Sequence, residues 1–282
     1  MSVINLAIAG DLHGAWGDDD RELLLKVNPD AILFVGDLGE GDFRLVKSIA
    51  NLPLPSAVML GNHDRGADAS GDQLQSQLAI LGDSNCSWRL RDWDYPPISV
   101  VGGRPCSPGG GYFLTTQVKG VFGPVSLEES AIRIFQASQN ASKSIPLILL
   151  AHSGPSGLGS EAFSICGRDW KNPSLDWGDK DLAMAIDLIR KERSIDLVVF
   201  GHMHHKLRLG KGYRQTYYRD SLGTIYLNAA SVPRKGIDES GELLSHFSWV
   251  QFLDGQIAHA SHRWYRKDAS IAYQETLLNT AL

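Results

Sequence analysis

Five short polar blocks in this chain each follow an apolar run typical of a buried β-strand, the third after a shorter run that ends at Leu60. In chain order they are Asp11-Leu12-His13, Gly36-Asp37, Gly61-Asn62-His63-Asp64, His152 and Gly201-His202-Met203-His204. Because ligands collect at the carboxyl ends of strands in open α/β sheets, we expect these blocks to meet. The pattern indicates an α/β fold that assembles one polar site from several strand ends.

The first part of the chain alternates strands with helices. Val3–Ala9, residues 31–35 and residues 57–60 are typical of strands, and helical patterns separate them. This order predicts right-handed crossovers and a largely parallel sheet. Further on, the patterns predict helices at 72–81, 126–139 and 181–193, and strands at 88–93, 98–102, 147–151, 196–200, 224–228, 247–253 and 256–263.

We see no repeat, low-complexity tract or interdomain linker, so residues 1–282 are predicted to form a single domain. Loop insertions are expected at about 66–145, where the signal is weak, and at 153–180, which is rich in Gly, Pro and Ser. Loops this long in a compact domain are usually functional or disordered. Specificity is therefore expected to reside in these two segments.

Composition narrows the class of protein. The formal net charge of −5 argues against a general nucleic-acid binder, which would usually be basic. The three cysteines, Cys86, Cys106 and Cys166, are widely spaced, so reduced thiols are expected rather than a disulfide framework or zinc ribbon.

The chain enters a strand almost at once, and no signal-peptide pattern precedes it. No apolar run approaches the roughly 20 residues that a membrane span needs, so no membrane association is expected. We expect a cytoplasmic protein, or one of the plastid stroma if a transit peptide has been removed.

The side chains of the five blocks form a mixed oxygen and nitrogen donor set with no thiolate. Such a set suits manganese, iron, zinc or cobalt better than calcium or magnesium. A carboxylate such as Asp37 can bridge two cations. Two metals about 3.5–4 Å apart lower the pKa of a bridging water and clamp a phosphoryl group. The candidate ligands are Asp11, His13, Asp37, Asn62, His152, His202 and His204.

A leaving alkoxide also needs a proton. His63 directly follows the candidate ligand Asn62, so it is the predicted general acid. Asp64 comes next, and a carboxylate that binds one imidazole nitrogen fixes the tautomer of the ring. Asp64 is therefore predicted to orient His63.

The ordered series resembles the calcineurin-like metallophosphoesterase superfamily over Asp11 to His204. The resemblance implies an α/β/β/α sandwich of two mixed sheets flanked by helices. It also implies one metal held by Asp11, His13, Asp37 and His204, and a second held by Asp37, Asn62, His152 and His202. Two metal ions, manganese or iron foremost, with zinc, cobalt and nickel also compatible, are the expected cofactors.

The series departs from that of the Ser/Thr protein phosphatases. Glu40 stands where their second Asp would be, Gly41 stands where they carry Arg, and Asp64 stands where they have Glu. These departures argue against a phosphoprotein phosphatase. The stretch that follows His152 is similar to an uncharacterised branch of the superfamily found in cyanobacteria and plants.

Residues outside the series offer weaker candidates for substrate contact. Arg65, Arg104 and Arg168 lie in or near loops that could face the pocket, where a guanidinium would bind phosphate. Arg168 is preferred because it lies on the long loop after His152. Trp170 and Trp177 either pack within that loop or stack on an aromatic group of the substrate.

The sequence as a whole predicts a dinuclear metal-dependent phosphoesterase that acts on a small phosphorylated substrate, a phosphomonoester or a phosphodiester. A cyclic-nucleotide phosphodiesterase or a nuclease is the alternative enzyme, and a phosphoprotein phosphatase is a less favoured one. A catalytically inactive scaffold that binds a protein is the non-enzymatic alternative. It is disfavoured because no member of the ligand series is missing.

Overall fold

The computed structural model describes residues 2–209 and 212–280, and two mixed β-sheets form its centre. The first sheet has the order β13-β12-β11-β1-β2-β3, and β10 pairs with β11. Its strands are β1 (Val3–Ala9), β2 (Ala31–Phe34), β3 (Ser56–Val58), β10 (Lys235–Ile237), β11 (Leu243–Leu253), β12 (Gln256–Tyr265) and β13 (Ile271–Asn279). The first three run parallel, as predicted, whereas β11 runs antiparallel to β1.

The second sheet has the order β4-β5-β6-β7-β9-β8. It contains β4 (Leu90–Trp93), β5 (Ile98–Gly102), β6 (Leu147–Leu150), β7 (Leu197–Phe200), β8 (Tyr217–Arg219) and β9 (Ile225–Asn228). Its four inner strands are parallel, and its two edge strands are antiparallel. The inner strands β5, β6 and β7 are buried at every position, which accounts for their nearly continuous apolar sequences.

Side chains alternate along the strands and so fill two cores. In β1, Leu6 and Ile8 face the second sheet, and Ala7 and Ala9 pack with the helical layer. The helices are α1 (Asp18–Val27), α2 (Phe43–Ala50), α3 (Asp72–Leu81), α4 (Thr116–Phe122), α5 (Leu127–Gln139) and α6 (Lys180–Ile189). Within the described residues, no helix is both long and apolar enough to cross a membrane.

Segment 66–145 is part of the central fold and not the loop insertion that was predicted, although the helices predicted at 72–81 and 126–139 and the strand predicted at 98–102 are present. It supplies three helices (α3, α4 and α5) and two strands of the second sheet (β4 and β5). Helix α5 begins as its sequence predicts, because the Ser126 hydroxyl accepts a hydrogen bond from the Glu129 backbone N–H at 3.1 Å. Segment 153–179, in contrast, has no helix or strand and runs as a long loop into α6.

Two histidines pack inside the C-terminal hairpin. His246 and His262 lie on the face of β11 and β12 that also carries Val250 and Ala260, and each is only 3% exposed. The His262 ring lies between the hydroxyls of Ser248 (2.8 Å) and Thr216 (2.9 Å). Burial lowers the pKa of both rings well below 6.5, and the nearby His205 lowers both further. Arg234 also lowers the pKa of His246.

This burial predicts a loss of stability in acid. Because the folded-state pKa values lie below the unfolded-state value, the unfolded chain takes up protons first as the pH falls below about 6.5. Each ring then lowers the free energy of unfolding by up to about 1.4 kcal/mol per pH unit. We expect His262→Gln to remove one such contribution in urea unfolding of metal-free protein between pH 8 and 5. His259→Gln, at a partly exposed position on the same strand, is the control, and its effect should be smaller because burial lowers the pKa of His259 less strongly. Parallel curves for wild type and His262→Gln would contradict the prediction.

Candidate metal centre

The predicted ligands lie where strands from both sheets end. Asp11 and His13 follow β1, Asp37 follows β2, and Asn62 comes four residues after β3. From the second sheet, β6 leads to His152, and β7 leads to His202 and His204. The structure therefore brings all seven side chains to one place, although each sheet alone supplies only part of the set.

One cluster consists of Asp11, His13 and His204. The Nε2 atoms of His13 and His204 are 3.4 Å apart, and His204 Nε2 lies 3.3 Å from Asp11 Oδ2. Asp37 Oδ2 is 3.9 Å from His13 Nε2. Donor atoms that share a metal ion at about 2.0–2.2 Å from it have separations of this size.

A second cluster consists of Asp37, His152 and His202. Asp37 Oδ1 is 3.4 Å from His152 Nε2, and that nitrogen is 2.9 Å from Asn62 Oδ1. The rings of His152 and His202 meet edge to face, with their centroids 5.0 Å apart. The two oxygens of Asp37 thus face different clusters, which is the position a bridging carboxylate needs.

Hydrogen bonding at the site fits a cation. His152 Nδ1 donates to the Val35 carbonyl at 2.8 Å, so in the neutral ring Nε2 is an acceptor that faces another acceptor, Asn62 Oδ1. Asp11 Oδ2 and His202 Nε2 are buried and have no well-oriented hydrogen bond among the described residues. Such unpartnered buried atoms are costly unless an ion binds them.

The backbone at the ligands is shaped for close approach. Asp11, His13, Asp37 and His202 all have left-handed φ angles, between 45° and 66°. Such conformations cost roughly 1–3 kcal/mol each and cluster at functional sites. A Cβ on Gly61 would collide with the Asp37 carboxylate. Glycine is therefore required there for Asp37 to reach the site.

His63 lies beside the first cluster. Its backbone N–H donates to Asp37 Oδ1 at 2.9 Å, and its ring meets that of His13 edge to face at 5.2 Å. Half of its side chain is exposed, and Nδ1 lies 3.8 Å from Glu40 Oε1. Glu40 is thus the carboxylate that faces His63, and sequence reasoning did not give it this role. The position of Glu40 in the sequence, three residues after the predicted ligand Asp37, was the feature that could have indicated this role.

The prediction that Asp64 orients His63 is wrong. The Asp64 carboxylate is fully buried and accepts hydrogen bonds from the backbone N–H groups of Gly61, Leu38 and Gly39. Burial and the Asp37 charge raise the pKa of Asp64 to about 6, against these hydrogen bonds. Asp64 therefore ties the loop after β2 to the loop after β3 and has no contact with the His63 ring.

The three predicted substrate arginines are also placed elsewhere. Arg104 is buried and paired with Asp179 and Asp181 at 2.8 and 2.9 Å. Arg168 is 8% exposed, stacks over the Trp177 ring at 5.1 Å, and donates to the Pro173 carbonyl. Arg65 is exposed and donates to the Asn62 carbonyl. The predictions for Arg104 and Arg168 are wrong because acidic or carbonyl partners in the loops bind their guanidinium groups.

A cavity of about 330 Å³ opens over the two clusters. The described residues that line it are His13, Asp37, Asn62, His63, Pro108, Asp169, Trp170, Trp177, His202, Met203, His204, Lys206 and Arg208. None of the three predicted arginines is among them. Lys206 and Arg208 were missed, although they follow the predicted ligand His204 by only two and four residues.

Comparison with known proteins supports this description. A family model described as calcineurin-like phosphoesterase matches residues 4–206 of the 282. None of the curated proteins compared with the chain matches it.

Solved structures share the fold. TT1561 of Thermus thermophilus is 14% identical, with 98% of each chain covered and a TM-score of 0.51. GAP50 of Plasmodium, described as the anchor in the inner membrane complex, is 11% identical, with 100% of this chain and 90% of that chain covered and a TM-score of 0.52. The predicted α/β/β/α architecture is confirmed. Because the family model covers residues 4–206, the chain belongs to the calcineurin-like phosphoesterase family.

Proposed function

We propose that this protein hydrolyses a small phosphomonoester or phosphodiester with two bound metal ions and with His63 as the general acid. The observation that carries the proposal is the convergence of two donor clusters, bridged by Asp37, on the floor of a cavity that His63 also lines. A cavity of about 330 Å³ is near the lower end of the range for small-molecule sites. It therefore favours a small substrate.

The donor set indicates which cations would bind. Asp11, His13, Asp37 and His204 would hold one, and Asp37, Asn62, His152 and His202 the other. Mixed carboxylate, amide and imidazole donors favour manganese or iron, with zinc, cobalt and nickel also compatible. Bound there, two cations would supply Lewis-acid polarisation of the phosphoryl group and acidify water at neutral pH.

The protein's own groups supply the proton and its placement. The His63 ring faces Glu40 through Nδ1, which leaves Nε2 free to carry a proton to the leaving oxygen. The hydrogen bond from the His63 backbone to Asp37 fixes the distance between this acid and the bridging carboxylate. His63 thus acts from the cavity wall, beside the clusters.

Metal removal tests the proposal. Protein reconstituted with Mn²⁺ should hydrolyse p-nitrophenyl phosphate or its bis ester, and chelation should reduce the rate to background until Mn²⁺ is restored. Elemental analysis should find two metal ions per chain in wild type and fewer in Asp37→Asn. Glu242→Gln, at the residue before β11 and outside both donor clusters, is the control and should retain both ions.

Full activity in metal-free protein would refute this proposal. Protein that binds no transition metal and stays inactive after reconstitution would favour the scaffold alternative instead. Assays on 2′,3′- and 3′,5′-cyclic nucleotides and on single-stranded DNA separate the phosphodiesterase and nuclease alternatives from a phosphomonoesterase.

A further inference from the structure

We infer that the cavity selects a phosphoester whose organic part has an aromatic ring and a second anionic group. The ring would stack on the Trp170–Trp177 pair, and Lys206 and Arg208 would bind the second anion. This inference rests on the proposed function, because it concerns the same cavity. It depends on the cavity wall, whereas the proposed function depends on the donor clusters.

The aromatic wall is formed by two tryptophans of loop 153–179. Their rings meet edge to face, with centroids 5.1 Å apart and an interplanar angle of 79°. Trp170 is 36% exposed although it lines the cavity. An indole left exposed at a site offers a face on which a planar ring can stack.

Trp177 is held rigidly. Its Nε1 donates to the Pro108 carbonyl at 3.0 Å, and the Arg168 guanidinium stacks on its ring. Gly109 and Gly110 have positive φ angles, and a Cβ on either would collide with the indole. Trp177 thus fixes the edge against which Trp170 rests, so a stacked ring would meet a preorganised surface.

The cations lie on the segment after the last predicted ligand. The side chains of Lys206 and Arg208 are exposed and line the cavity. Across residues 2–209 and 212–280, neither forms an ion pair. Two unpaired cations at the rim, outside the two donor clusters, give a second anionic group a place to bind.

Acidic groups nearby do not cancel this charge. Asp169, an acid of loop 153–179 that lines the cavity, accepts a hydrogen bond from the Arg208 backbone N–H at 2.6 Å, and its other oxygen lies 3.4 Å from Arg214 Nη2. The Asp169 charge is therefore balanced by Arg214. The hydrogen bond from Arg208 to Asp169 holds the segment that carries Lys206 and Arg208 against loop 153–179. Glu40 lies beside His63 and His13.

Three phosphomonoesters of increasing complexity test the inference. Ribose 5-phosphate has neither feature, 5′-AMP adds the ring, and adenosine 3′,5′-bisphosphate adds a second phosphate. In the Mn²⁺-loaded enzyme, kcat/KM for phosphate release should rise about tenfold at each addition. The second increase should shrink at high salt, because rim charges are screened.

Variants separate the two parts of the wall. Trp170→Leu keeps an apolar side chain but should abolish the first increase, whereas Trp170→Phe should retain much of it. Lys206→Ala and Arg208→Ala should abolish the second increase and leave the first. Each result is a ratio within one variant, so changes in metal content or folded fraction cancel.

A binding measurement completes the test. Calorimetry with adenosine, which has no phosphate, should show binding to wild type that Trp170→Leu weakens about tenfold. Equal kcat/KM for the three esters, or ratios unchanged in the variants, would overturn the inference while the proposed function stands. No hydrolysis of these three esters, of p-nitrophenyl phosphate or of its bis ester would instead refute the proposed function.

Discussion

Arg104→Ala should lower the free energy of unfolding by about 3–5 kcal/mol, because it leaves two buried carboxylates without their cation. The Arg104 guanidinium donates to Asp181 and Asp179 and to the Phe113 carbonyl, and it stacks on Tyr112 at 4.6 Å. Burial raises the pKa of Asp179 to about 7 even beside Arg104. These contacts join the loop after β5 to the start of α6.

The loss should grow with pH. Without Arg104, the folded state keeps Asp179, whose pKa burial already raises to about 7, protonated at pH values where the unfolded chain has released that proton. The unfolded state then binds fewer protons, so stability falls as the pH rises above about 4. Urea unfolding of Arg104→Ala at pH 5 and pH 8 should therefore show the larger deficit at pH 8.

Arg65→Ala is the matched control. Among the described residues its exposed guanidinium donates only to the Asn62 carbonyl, so the free energy of unfolding of Arg65→Ala should differ from that of wild type by no more than about 0.5 kcal/mol. If Arg104→Ala unfolds like this control but has a raised KM for phosphoesters, Arg104 faces the substrate, and the sequence prediction of phosphate binding was right.

The ligand blocks could be predicted from sequence because their geometry depends on short-range patterns. An apolar run with a following glycine fixes where a strand ends, and parallel strands bring their carboxyl ends to one edge. The predicted strand 147–151 and its neighbour at 196–200 match β6 and β7 closely. Donor types and strand ends together were sufficient to place His152 and His202 in one site.

The partners of the charged groups could not be predicted in the same way. Arg104 and Asp181 are 77 positions apart, so only the packing of the second sheet against α6 reveals their pair. Asp64 adjoins His63 in sequence, but its side chain turns inward to three backbone N–H groups. Glu40, in the loop after β2, faces a ring that lies 23 positions further along the chain. These choices depend on how loops pack, which residue spacing does not encode.

His63→Asn should lower kcat for an alkyl phosphoester about 10²- to 10⁴-fold, the usual contribution of a general acid. The loss should be much smaller for p-nitrophenyl phosphate, whose leaving group needs little protonation. Elemental analysis of His63→Asn should find the same metal content as in wild type. The reason is that His63 is not among the four residues assigned to either cation.

Two further variants decide which carboxylate serves His63. Glu40→Gln should also lower kcat, by less than His63→Asn and with the same dependence on the leaving group, because Glu40 faces Nδ1 of the ring. Asp64→Asn should instead destabilise the fold, since an amide cannot accept all of the backbone N–H groups that the carboxylate accepts. Full activity in Glu40→Gln, together with a leaving-group-dependent loss in Asp64→Asn at unchanged stability, would restore Asp64 as the orienting residue. A loss in His63→Asn that is equal for both esters would exclude His63 as the acid.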